Sequence, residues 1–220
     1  GANPAYTSIA TGRGLENTSS TSTATIQKLL GTDAIRTALN GSTTATLEWV
    51  GDVTTIQAAA DSFLMGIQVG GGYAPIVLYA VDSSPNVLGF YSNMAGTGGP
   101  IEWAFDPEAE GRSVLQLVID TTQATANDRI RLYADDTLLT RSSTTGIPNQ
   151  NATLVMSTTH YVGVGNGTDG DKSFIDANYY GAVYSSALSS AQVTQNYDVL
   201  VLDDDTPAAG GSSVPKITQK

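Results

Sequence analysis

Ile130, Leu132 and Ala134 alternate with Arg129, Arg131 and Tyr133, the period-two pattern of a half-buried strand. The run Ser113–Asp120 is a second such segment, and the stretch from Phe174 to Val183 is rich in the aromatic and branched residues that fit a packed sheet. Further short runs recur at Thr46–Val50, Phe63–Val69, Ile76–Val81, Val87–Tyr91, Ile101–Phe105, Leu154–Ser157 and Tyr161–Val164. Gly, Pro, Asn and Asp separate them, as in a sandwich of antiparallel strands. The alternation predicts that Trp49, Leu117, Ile119, Leu132 and Val183 point into the core.

After Val183 the period changes. Val193, Tyr197 and Leu200 recur at helical spacing and lay one apolar stripe on a sheet. Ser189 is placed as the N-cap, and Gln192 three residues later completes a capping box. The pattern predicts a helix over 189–200 and a second, shorter one near Asp33–Leu39. The residues Asp135-Asp136 interrupt a hairpin where Gly would be easiest. Asp adopts turn conformations less readily, so a longer or bulged loop is expected there.

Three segments carry a family resemblance. Ala187-Leu188-Ser189, then Gln192-Val193, then Asn196-Tyr197 resembles the closing signature of the laminin G-like branch of the concanavalin A-like jelly rolls. Asp120 followed by Arg129–Asp136 resembles that family's central hairpin, and Thr46–Val50 an early strand. The first two matches lie in the C-terminal half. Asn178, Tyr179 and Tyr180 replace an acidic run found in many relatives, so no role of those carboxylates is carried over. The resemblance implies an all-β fold, a two-sheet antiparallel jelly-roll sandwich over residues 1–200 with one short C-terminal helix. Residues 201–220 form a Gly/Ser/Pro extension.

Charge narrows the partners. The 220 residues carry 21 Asp and Glu against 10 Lys and Arg, a net charge of −11. A field of that sign disfavours nucleic acid and anionic membranes, and no apolar run is long enough to cross a bilayer. There is no cysteine, hence no disulfide framework. The opening Gly1–Thr7 has neither a basic nor an apolar leader segment. Its Thr/Ser-rich composition resembles phage structural proteins.

No catalytic set is legible. Retaining glycosidases on this fold carry clustered carboxylates in a Glu-x-Asp-x-x-Glu pattern, which is missing here; Glu48 and Glu102 each stand alone beside a tryptophan. His160 is the single histidine, and no Gly-x-Ser-x-Gly elbow accompanies it. The Gly-rich stretches at 70–72 and 163–167 lack the Gly-Lys-Ser/Thr ending of a phosphate loop and read as punctuation between strands.

Asn166, Asp169 and Asp171 supply the oxygen ligands that Ca²⁺ prefers, so calcium is the one cofactor proposed, against the plain reading of a solvated Asp/Gly turn. Val214, Lys216, Ile217 and Lys220 form a basic, weakly apolar end expected to dock on a sister subunit. The leading expectation is a non-catalytic module displayed on an assembly, such as a capsid decoration or adhesion protein of a virion, or at an extracellular surface. Its partners would be copies of itself or other assembly proteins. A free carbohydrate-binding lectin module and a laminarinase-like hydrolase are the alternatives.

Overall fold

The computed structural model describes residues 6–8, 14–19, 25–58, 61–69, 72–96, 99–143, 145–167 and 172–202. In chain order the elements are β1 (Tyr6–Ser8), β2 (Leu15–Asn17), β3 (Ile26–Leu29), α1 (Ala34–Leu39), β4 (Thr44–Gly51), β5 (Asp61–Val69), β6 (Gly72–Val81), β7 (Val87–Ser92) and β8 (Ile101–Trp103). They continue with α2 (Pro107–Glu110), β9 (Ser113–Asp120), a 3₁₀ turn over Ala126–Asp128, β10 (Ile130–Ala134), β11 (Thr137–Leu138), β12 (Tyr161–Val164), β13 (Asp176–Tyr184) and α3 (Ser190–Leu202).

The strands form two antiparallel sheets. One has seven strands in the order β1-β2-β13-β4-β9-β10-β11, the other six in the order β3-β12-β5-β6-β7-β8. Leu47 and Trp49 of β4, Leu115, Leu117 and Ile119 of β9, and Leu132 of β10 face Met65, Ile67, Ile76, Leu78, Phe90 and Trp103 of the opposite sheet in one core. Val183 packs against that core partly buried. The packed antiparallel sheets expected from the alternation, and the jelly-roll sandwich that the resemblance implies, are the observed architecture. On β5 both Leu64 and Met65 belong to the core, because the register shifts between Phe63 and Met65, as a bulge does.

The outer face of the seven-stranded sheet is covered by α3. Val118 and Tyr133 from the sheet meet Leu188 and Val193 in a small second cluster. The helix begins as its sequence predicts: Ser189 N donates to Gln192 Oε1 at 2.9 Å, and Gln192 N donates to Ser189 Oγ at 3.3 Å. The second predicted helix is α1, where Asp33 Oδ1 accepts from Ala34 N. No helix among the described residues is long and apolar enough to cross a membrane.

Three local readings are corrected. The hairpin between β10 and β11 turns in two residues, Asp135 and Asp136, both left-handed with φ of 47° and 61°. No longer loop is needed, because Asp135 Oδ1 accepts from Val114 N on the adjacent β9 at 2.9 Å and ties the turn to the sheet. Leu154–Ser157 is irregular: Leu154 N donates to Ser42 O and Met156 N to Asn40 Oδ1, so a loop and a side chain take the place of a strand partner. Gly163, counted in the sequence both with the strand Tyr161–Val164 and with the Gly-rich punctuation at 163–167, lies inside β12, opposite Gly66.

Candidate functional site

After β11 the chain leaves the seven-stranded sheet and crosses to the edge of the six-stranded one. Leu139 N donates to Leu132 O at 2.9 Å on the first side. Arg141 then bridges to Trp103, and Ser142 N donates to Glu102 O at 2.9 Å on the second. Residues 139–142 thus form a strap across the side of the sandwich. Leu139 anchors it by packing on the core. Arg141 anchors it too, its Nη2 donating to the carbonyl oxygens of Asn127 and Ile130.

Beneath this strap lies a cavity of about 330 Å³. Its polar lining residues are Asn127, Asp128, Arg131, Thr140 and Arg141, and its apolar ones Trp103, Ile130, Leu138 and Leu139. Asn127, Asp128 and Thr140 are exposed, and Leu138 is 53% exposed. Trp103 is fully buried and both arginines are half-buried.

Three of these residues carry buried N–H groups with no acceptor: Trp103 Nε1, Arg131 Nε and Arg141 Nη1. A buried donor left unpaired costs about 1–3 kcal/mol, and such groups are few in native proteins. Neither arginine makes an ion pair among the described residues. Burial lowers the Arg141 pKa from its ordinary value, with the nearby Asp128 acting in the opposite direction. Asp120 feels the charge of Arg131, but its own oxygens accept from Thr122 and Gln123.

The other polar clusters have different surroundings. Glu48 is buried under α3, where it accepts from Gln116 Nε2 at 2.7 Å, Tyr184 OH at 2.7 Å and Asn196 Nδ2 at 3.1 Å. Glu102 lies on β8 of the opposite sheet, so the two glutamates beside tryptophans do not meet. On the outer face of the six-stranded sheet, Phe63, Val77 and Tyr79 form a third cluster joined by Tyr91. Tyr79 lies across Gly89, whose missing Cβ would stand 2.4 Å from the ring. Burial raises the Tyr79 phenol above its ordinary range, and the charges of Asp61 and Glu102 add to the effect. Asp61 on β5 and Glu102 on β8 are three strands apart, about 14 Å between backbones. A larger cavity of about 450 Å³ opens between the sheets, but its walls are mostly apolar, from Leu30, Ile35, Met65, Ile67 and Val183.

The residues singled out in the sequence lie elsewhere. Asn166 is buried and its Oδ1 accepts from Lys172 N at 2.8 Å. Asp169 and Asp171, and the docking residues Val214, Lys216, Ile217 and Lys220, fall outside the described residues. His160 is buried, its Nδ1 accepting from Ser157 N at 3.0 Å. The strap cavity has no signature in the sequence. Arg131 reads as the polar side of a strand, and nothing in the spacing says that Arg141 returns to it.

No family model matches this chain, and no curated protein sequence matches it. Solved structures do. The Trypanosoma rangeli sialidase aligns at a TM-score of 0.62 and 13% identity over 90% of this chain and 29% of its own. The chain thus spans less than a third of that sialidase. The Ruminococcus gnavus IT-sialidase CBM40, bound to alpha2,3 sialyllactose, aligns at 0.47 and 13% identity over 87% of this chain and 96% of its own. A carbohydrate binding protein of Bacteroides ovatus aligns at 0.49 and 15% identity over 70% of this chain and 40% of its own. The sheet topology and the alignment to the sialidase define the fold: a two-sheet antiparallel jelly-roll β-sandwich.

Proposed function

We propose that this sandwich is a non-catalytic carbohydrate-binding module and that the sugar sits in the cavity beneath the strap. The observation that carries the reading is a cavity lined by two arginines, Arg131 and Arg141, neither of which makes an ion pair among the described residues. A sugar ring offers hydroxyl acceptors around an apolar face. The exposed Asn127, Asp128 and Thr140 suit the hydroxyls, and the exposed Leu138 suits the face. The carboxylate geometry supports the non-catalytic part: Glu48 is held by three donors beneath α3 and Glu102 stands on the other sheet. Titration calorimetry against a panel of neutral and acidic oligosaccharides tests the reading. Binding of at least one sugar, lost in Arg141→Gln, is expected. Unchanged binding in that variant would place the site elsewhere.

Display on a larger assembly, as in a virion, is a second reading of the same chain, compatible with glycan binding. It draws on the end of α3, where Val199 is 64% and Val201 46% exposed just before residues 203–220. Those apolar side chains suit a neighbouring copy of the chain. Deleting residues 203–220 should leave a folded monomer that no longer joins the assembly; normal incorporation would end this reading.

A further inference from the structure

The arginines in the strap cavity are held in an unusual way. Arg141 Nη2 donates to two backbone carbonyls, Asn127 O and Ile130 O, while Nη1 has no acceptor. Carbonyl dipoles orient the guanidinium but leave its charge uncancelled. Arg131 lines the same cavity with Nε unpartnered among the described residues, and Asp120, which feels its charge, is hydrogen-bonded to Thr122 and Gln123. Two half-buried guanidiniums therefore share one cavity in a chain of net charge −11.

We infer that the cavity takes an acidic sugar, whose carboxylate is received by Arg131 and Arg141. This rests on the carbohydrate-binding reading of the same cavity and names its ligand class. A carboxylate is the planar acceptor that a guanidinium matches with two parallel hydrogen bonds; Arg131 can supply that edge, while Arg141, whose Nη2 is engaged by two carbonyls, adds its charge. The anion would also offset the desolvation that lowers the Arg141 pKa. Asp128, the one carboxylate in the lining, opposes an anion but is exposed, where solvent and salt screen it. Fixing Arg141 before the ligand arrives lowers the ordering cost of binding.

The test uses paired probes that differ in the ionised carboxylate: tri-galacturonic acid against its methyl ester, and sialyllactose against its methyl ester, each titrated into the whole chain. At least one acid should bind ten-fold or more tighter than its neutral partner, and the preference should shrink as salt is raised. Arg131→Gln and Arg141→Gln should each remove the preference, so that within each variant the acid binds no tighter than its neutral partner. Thermal melting checks that Arg141→Gln still folds; if it does not, Arg131→Gln decides, since the Arg131 side chain makes no hydrogen bond among the described residues. Equal affinity for acid and ester would overturn this inference and leave carbohydrate binding standing. Binding of no member of either pair would overturn both. A preference that survives both arginine variants would overturn the location.

Discussion

Trp49 donates its indole N–H to Asn178 Oδ1 at 2.9 Å, and its ring meets Phe174 edge-on with centroids 6.0 Å apart. The pair ties β4 to β13, and the ring fills the space between the sheets. Trp49→Ala should cost about 3–5 kcal/mol as a large-to-small core change. Trp49→Phe keeps most of the volume but leaves the Asn178 carbonyl without its donor, at about 1–3 kcal/mol. Urea denaturation of the two variants should rank them in that order. A Trp49→Ala protein as stable as the parent would contradict the packing.

The Glu48 cluster locks α3 to the sheet. Tyr184 OH donates to Glu48 Oε2 and Asn196 Nδ2 to Oε1. Tyr184→Phe should cost about 1.5–3 kcal/mol, the range for a hydrogen bond to a charged group. The loss should appear as faster amide exchange across Ser190–Leu202. Exchange unchanged in α3 would show that the cluster does not hold the helix.

Two groups give the stability a pH dependence at the alkaline end. Burial raises the pKa of both Tyr79 and Tyr184. An unfolded tyrosine ionises near pH 10, so the native state binds more protons above that point. The stabilisation is complete below about pH 10 and is lost as pH rises further. Absorbance titration should show these two phenols ionising only together with unfolding.

His160 acts at the other end. Burial lowers its pKa, and its Nδ1 accepts from Ser157 N, which requires the neutral ring. The unfolded histidine gains its proton near pH 6.5. The contribution is therefore present above about pH 6.5 and falls as acid is added, until the folded ring titrates as well. His160→Gln should flatten melting temperature against pH in that window. An identical slope in the variant would assign the acid sensitivity to the carboxylates.

Much of the fold was legible because one rule dominates it. Trp49, Leu117, Ile119 and Leu132 occupy alternating strand positions, and burying one face forces the rest of each strand into register. The capping box of Ser189 and Gln192 was equally local. The tight turn at Asp135 was misread because its compensation, the Val114 amide, comes from a neighbouring strand. β3 was missed for the same reason: Ile26–Leu29 has three exposed residues and is a strand only because β12 pairs with it. The strap cavity was illegible throughout. Its donors come from β8, β10 and a crossing segment, and what matters about them is an acceptor they lack.

The central claim can be read from a single resonance. The chain has two tryptophans, and their indole N–H groups are in opposite states. Trp49 is hydrogen-bonded to Asn178, and Trp103 has no acceptor beside the strap cavity. In a ¹H–¹⁵N spectrum titrated with tri-galacturonic acid or sialyllactose, the Trp103 indole signal should shift progressively while the Trp49 signal stays fixed. A Trp103 signal unmoved by sugars that bind the protein would contradict the assignment of the cavity as the binding site.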